Sequence, residues 1–359
     1  EQGKPTDLIG AVKVTGQNGG LRYGLLSAFE GDMSLPGEFT SGALAGQATE
    51  VDTSGRDFGV ARVLYERVGE GRRAIGYLGT LVSHEDGDAI VHGVDAHWLS
   101  RNGAWAVDGQ VMTSDVEDLQ GYGAMADIDY KPRQGTQHKL ALDYFDENLD
   151  VSDLGFIRRN DAMSAVYQYN WSTGRGLTTL RNKRRSLMVS NSWNMEGQVV
   201  RSGIFLRNGW TFKNLNEIRT ELDYFPVRWE DRNSFGNGAY KMHDRWVAEV
   251  AIGTDTSQKL SYSALLGVRQ EELSDWTIRS SLGVTYTPSD RFSFELDLNY
   301  FQRDGWLLHD QDRLMATYEA GDFQPRLGVD IFFTAKQQLR LSVQWAACLL
   351  YTSPSPRDL

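Results

Sequence analysis

The chain has 359 residues, a net charge of −11, 40% hydrophobic and 11% aromatic residues, a single cysteine and a mean hydropathy of −0.44. One cysteine excludes an intramolecular disulfide framework and any cysteine-rich zinc site, and the acidic balance without a long basic stretch argues against a nucleic-acid partner. No apolar run approaches the ~18 residues of a transmembrane helix, but a membrane-crossing sheet stays open, because its apolar signal falls on alternate residues and leaves mean hydropathy low.

The chain opens Glu1-Gln2-Gly3, without an initiator methionine or the apolar core of a signal peptide. Residues 1–6 read as an upstream linker of a fragment or processed chain. The first strand is expected over 7–16. Period-two segments follow around 103–113, 119–131, 137–146, 161–171, 197–212 and 216–229. The alternation sharpens toward the end. Leu260, Tyr262, Ala264, Leu266 and Val268 alternate with Ser261, Ser263, Gly267 and Arg269; Ile278, Leu282, Val284 and Tyr286 oppose Arg279, Ser281, Gly283 and Thr285. Phe292, Phe294, Leu296, Leu298 and Tyr300 oppose Arg291, Ser293, Glu295, Asp297 and Asn299. Leu327, Val329, Ile331 and Phe333 oppose Arg326, Gly328 and Asp330, and Leu339, Leu341, Val343 and Trp345 oppose Arg340, Ser342 and Gln344. Nowhere does a helical period persist. The final stretch, Cys348 to Asp358, reads CLLYTSPSPRD and looks like a translated sequencing adapter, so residues 348–359 are expected to be a non-native tail that carries the only cysteine.

The expected fold is all-β: a large antiparallel transmembrane β-barrel of about 18–20 strands over residues 7–347, incomplete at its N-terminus. Strands of ~10 residues suit a tilted membrane crossing. Short turns with Gly, Asn, Asp or Pro (17–19, 69–71, 101–103, 134–135, 172–174, 213–216, 288–290, 321–322) alternate with longer connections near 30–54, 148–159, 231–242 and 303–311. The last strand, near 337–347, is expected to descend to the periplasmic side. A soluble sandwich or propeller would also alternate, but with shorter strands and no need for charges on an enclosed face. Lumen-facing polar candidates are Asp127, Asp129, Asp143, Arg219, Glu221, Asp223, Arg269, Arg279, Glu295, Asp297, Asp330 and Arg340, because charges of both signs on an inward face need water or each other. Trp98, Trp105, Trp171, Trp276 and Trp345 fall near expected strand ends, where an aromatic girdle sits.

The opening segment Asp7-Leu8-Ile9-Gly10-Ala11-Val12-Lys13-Val14-Thr15-Gly16 and the stretch Asp153-Leu154-Gly155-Phe156-Ile157-Arg158-Arg159-Asn160-Asp161 resemble a bacterial outer-membrane β-barrel family, a domain of unknown function, that follows a family 9-like carbohydrate-binding module. The resemblance implies an outer-membrane location with membrane lipids as partners. It also implies a link to glycans through an N-terminal module that these residues do not contain. It supplies no catalytic residues.

Six histidines are scattered, none at the i, i+4 helical spacing of a metal site, and His92 and His97 are expected on opposite faces of one strand. Gly-x-Ser-x-Gly and the phosphate-binding P-loop pattern are absent. The run Arg181-Asn182-Lys183-Arg184-Arg185 reads as a solvated rim or lumen face, or else as an anion-attracting patch. Glu221/Asp223 and Asp127/Asp129 sit i, i+2 at about 6–7 Å, a spacing a glycosidase could use, but lumen polarity accounts for it. No catalytic residue, metal or cofactor is expected. The expected function is a pore or transport channel tied to carbohydrate binding or uptake. The alternatives are a barrel-embedded hydrolase acting on glycans or lipids and a plugged surface-binding barrel.

Overall fold

The computed structural model describes residues 7–38, 48–84, 87–352 and 357–358. The expected linker 1–6, part of the 30–54 connection and part of the expected tail lie outside them. The chain is all-β, with 24 strands and no helix among the described residues. The strands form a large antiparallel sheet and two small ribbons, Met33–Glu38 with Ala48–Thr53 and Arg228–Glu230 with Tyr240–Met242. The chain divides into two compact units, residues 1–131 with 139–165, and residues 132–138 with 166–359.

In the first unit Leu8–Asn18 pairs with Leu21–Glu30, which pairs with Asp57–Gly69 across the intervening ribbon. Gly71–His84, Gly87–Leu99, Trp105–Val116 and Leu119–Arg133 then each pair with their predecessor. In the second unit the same neighbour-to-neighbour order runs through Leu180–Trp193, Val199–Phe212, Glu217–Phe225, Arg245–Gly253, Leu260–Gln270, Trp276–Ser289, Phe292–Gln311, Leu314–Thr334 and Gln337–Gln344. The turns are set by residues that tolerate φ > 0, such as Gly19 (φ 57°) and Gly135 (φ 79°).

Because paired residues share a face, register sorts the side chains. One face of the second unit carries the apolar rows Leu222–Ala248–Val268–Ile278 and Ile218–Ile252–Ala264–Leu282–Leu298. In the first unit the row Tyr23–Val63–Tyr77–Val94–Val111 does the same. These apolar faces are the exposed ones: Leu266 is 61% and Leu282 58% accessible, whereas Asp223 on the other face is 4%. Buried residues on the polar faces include Asp95, Ser114, Ser261 and Thr277.

Two expectations of the chain's second half are corrected. Residues 303–311, read as a long connection, continue the Phe292–Gln311 strand past an irregularity between Arg303 and Trp306, where Gly305 takes φ 69°. Gly321-Asp322, read as a turn, lies inside Leu314–Thr334 opposite Gln302 and Phe301. The Asp-Gly pair at 304–305 and the Gly-Asp pair at 321–322 mimic turn chemistry, but here they bend one long hairpin closed at 312–313. Residues 314–320 therefore belong to the same strand as 323–334. Gln337–Gln344 consequently leaves the sheet edge that holds the turns 213–216, 254–259 and 290–291, opposite to the direction expected. At the start of the expected tail, Ala347–Thr352 pairs with Tyr318–Phe323.

The 146–161 connection folds back onto the polar face of the first unit. Leu149 is 1% accessible and sits over Gly121 and Gly123, on the face that carries Asp127. The Asp150 N–H donates to Ser114 Oγ (3.1 Å), and the Tyr122 N–H to Asp146 Oδ2 (2.8 Å). A Cβ at Gly121 would collide with the Leu149 backbone, which cannot give way as a side-chain tip can. Gly121→Val is therefore expected to release this loop, read as faster limited proteolysis within 146–161 while the strands stay protected.

Candidate functional site

The charged face of the second unit is built in rows. Register aligns Arg207, Glu221, Glu249, Gly267, Arg279 and Phe301 across six strands. Arg207 forks onto Glu221, with Nε–Oε2 at 3.0 Å and Nη2–Oε1 at 2.9 Å, and its Nη2 lies 3.5 Å from Asp223 Oδ2. Arg279 reaches Glu249 at 3.5 Å and lies over the Phe301 ring at 5.4 Å. Gly267 makes room between them, since a Cβ there would stand 2.8 Å from Glu249 Cγ. Both guanidiniums of this row thus find a carboxylate, the planar pairing that suits Arg better than Lys.

Above this row, toward the 226–244 connection, lies a denser cluster. Arg245 pairs with Glu272 at 2.5 Å, both largely buried, and stacks over Phe225 at 5.6 Å; Phe225 meets Phe205 edge-on at 5.4 Å. Arg228 covers the same ring from the connecting ribbon at 5.8 Å. Burial and the neighbouring Arg245 cation hold the Arg228 guanidinium below its ordinary value. Burial likewise pushes the Tyr240 phenol up to about 12 and the Glu271 carboxyl upward, with Thr277 donating its hydroxyl to Glu271 Oε1 at 2.5 Å. Several buried polar atoms here have no hydrogen-bond partner: Asp223 Oδ1, Arg228 Nη1, Arg245 Nε, Glu272 Oε2 and Arg279 Nε.

Register thus places nine of the sequence candidates, Arg219, Glu221, Asp223, Arg269, Arg279, Glu295, Asp297, Asp330 and Arg340, on one face. Asp297 stands opposite Arg326, and Asp330 accepts from Arg340 Nε at 2.7 Å. In the first unit Asp127 pairs with Lys139 at 3.4 Å, Asp143 accepts from Ser164 Oγ at 3.0 Å, and Asp129 shares their face. A second cluster there went unread in the sequence. Arg62 forks onto Asp95, and His97 bridges Asp95 (2.9 Å) and Asp108 (2.6 Å) beside Gly76. His92 points the other way, to the Tyr77 hydroxyl at 2.8 Å.

The five tryptophans all lie on apolar faces. Trp98, Trp105, Trp276 and Trp345 are exposed, and Trp105 stacks on Tyr130 at 4.1 Å. Trp171 is half-buried beneath Lys183 (5.8 Å), and Trp345 meets Phe323 edge-on within the sheet. The basic run 181–185 is divided by alternation. Arg184 pairs with Glu217 on the charged face, while Lys183 and Arg185 lie on the other, where Arg185, Asn208 and Thr220 form a hydrogen-bonded polar row. A hollow of about 630 Å³ also lies among Ile218, Ile252, Tyr262 and Leu282; it belongs to the apolar face and carries none of the Arg–carboxylate rows.

No group of three or more metal-ligating side chains is present among the described residues. What the arrangement defines is a two-faced antiparallel sheet protein, charged and paired on one face, apolar and exposed on the other. The chain belongs to a domain family of unknown function, DUF5916, whose model matches residues 1–347. No match is found among curated proteins.

The raised value at Glu271 fixes a sign. A carboxyl whose value rises on folding costs stability once pH climbs above its ordinary value near 4.3. Glu271→Gln is expected to raise the melting temperature at pH 7, with the gain shrinking toward zero below about pH 4, as thermal unfolding at the two pH values would read.

Proposed function

We infer that the sheet closes into an outer-membrane β-barrel and that the charged face lines a water-filled passage for hydrophilic solutes. One observation carries this reading: the exposed face is apolar on strand after strand, and the face that holds the charges is the more buried one. In water such a distribution leaves apolar area far beyond the few hundred Å² a soluble monomer usually exposes in one patch. In a bilayer it reverses into a favourable one, with lipid outside and water inside. Strands of 9 to 15 residues, from Glu217–Phe225 to Leu119–Arg133, supply the ~30 Å crossing when tilted. Among the described residues no helix is long and apolar enough to cross a membrane. Exposed tryptophans with Lys183 over Trp171 fit the interfacial belts of such a barrel.

The resemblance to barrels that follow a family 9-like carbohydrate-binding module supports glycans as the solute class. A plugged barrel is the second reading, favoured by the 146–161 connection lying on the charged face through Leu149. Planar-bilayer recordings of the purified full-length protein separate the two: discrete conductance steps support the pore, and a silent but correctly folded protein supports the plug.

The membrane reading has its own test. Leu266→Arg, at mid-strand on the apolar face, is expected to cost about 2–4 kcal/mol of folding stability in lipid vesicles. An exposed apolar residue on a water-facing sheet would change by only about 0.5 kcal/mol, and that smaller value in a urea titration would sink the membrane reading.

A further inference from the structure

On the charged face, between the Arg245–Glu272 pair and the Glu249–Arg279 row, the strands leave a cavity of about 120 Å³. Arg269, Arg279 and Arg303 line it, with Phe301 and Trp306 as apolar walls and the Thr277 hydroxyl between them. Register makes the crowding explicit. Arg269 stands opposite Thr277 and Arg279 opposite Gly267, so two guanidinium-bearing positions are diagonal neighbours on adjacent strands. Like charges so placed repel unless something neutralises them.

The carboxylates at the cavity are already engaged. Glu249 serves Arg279, and Glu271 accepts from Thr277 while buried at 5% accessibility. Arg303 is held over the Trp306 ring at 4.6 Å and lies 3.7 Å from Asp322. Among the described residues the exposed Arg269 has no carboxylate within ion-pair distance, although its field reaches Glu271. Arg279 has a buried Nε with no acceptor. A cationic side chain without an ion pair and a buried donor without an acceptor lack the same thing, a negatively charged oxygen.

We propose that this cavity is a binding site for an oxyanion, a carboxylate, sulfate or phosphate group carried by a solute, held by Arg269 and Arg279 against the Phe301–Trp306 wall. The volume admits such a group, and the remainder of the solute extends along the charged face. The aromatic wall raises the worth of each charge by excluding water from one side. The site stands on the charged face alone and does not require the sheet to close around a pore.

The test is calorimetric titration of the full-length protein in detergent with sodium glucuronate, inorganic phosphate and, as the neutral comparison, glucose. Saturable binding of at least one oxyanion and none of glucose is expected. Glucuronate alone points to acidic sugars, and phosphate alone to phosphorylated solutes. Arg269→Gln should weaken binding at least about tenfold and Arg269→Lys less, while Arg101→Gln, in an exposed turn, should leave it unchanged. Should Arg269→Gln fail to fold, Glu271→Gln gives the opposite sign: removing a negative neighbour should tighten binding. Absence of oxyanion binding, equal binding of glucose, or affinity indifferent to both Arg269→Gln and Glu271→Gln overturns the proposal.

Discussion

A β-strand sends successive side chains to opposite faces, and here the two faces demand different surroundings. Arg207, Glu221, Glu249 and Arg279 need water or each other, while Leu222, Val250, Leu266 and Leu282 gain by leaving water. A single solvent cannot satisfy both at once. Everything else follows from keeping the two sets apart: registers without slips across most of each strand, turns short enough to hold them, and glycines where opposing charged side chains would otherwise collide. A slip by one residue would exchange the sets along a whole strand, which makes register the most strongly specified quantity in the molecule.

Glycine at 76, 209 and 267 has a common role on the charged faces. At each, a Cβ would meet a guanidinium or carboxylate-bearing side chain within 3 Å: Arg62 and Asp95, Arg184, and Glu249 respectively. The cost of glycine in a strand is offset by the space it gives to long charged side chains lying flat along the sheet. These ion pairs hold neighbouring strands in register from the polar side, where no apolar contact can.

Much of this was legible in the sequence because the second half alternates without interruption. Phe292 to Tyr300 and Leu339 to Trp345 assign their own faces, and alternation alone puts Glu295 with Asp297 and Glu221 with Asp223 on shared faces. What was not legible depends on contacts between strands. Arg207 was not singled out because Gly203 and Gly209 blur the pattern around it, and its match to Glu221 appears only once the 213–216 turn fixes the register. The Arg62–Asp95–His97–Asp108 cluster needs three strands to be seen. Leu149, flanked by Asn148 and Asp150, looks like an ordinary loop residue until Gly121 and Gly123 are placed beneath it. The misread stretch at 303–311 shows the reverse failure, in which Asp304-Gly305 and Gly321-Asp322 carry turn chemistry that sheet pairing overrides.

The pairing order has a consequence for how such a protein can change over generations. Within each unit the strands pair with their neighbours in sequence, apart from the Met33–Glu38/Ala48–Thr53 and Arg228–Glu230/Tyr240–Met242 ribbons, which are stepped over, and Ala347–Thr352 and Arg357–Asp358, which return to Leu314–Thr334. A hairpin could therefore be duplicated or deleted without rewiring any other pair. Inheritance would then alter the width of this sheet in increments of two strands, while the chemistry of the remaining rows is passed on intact.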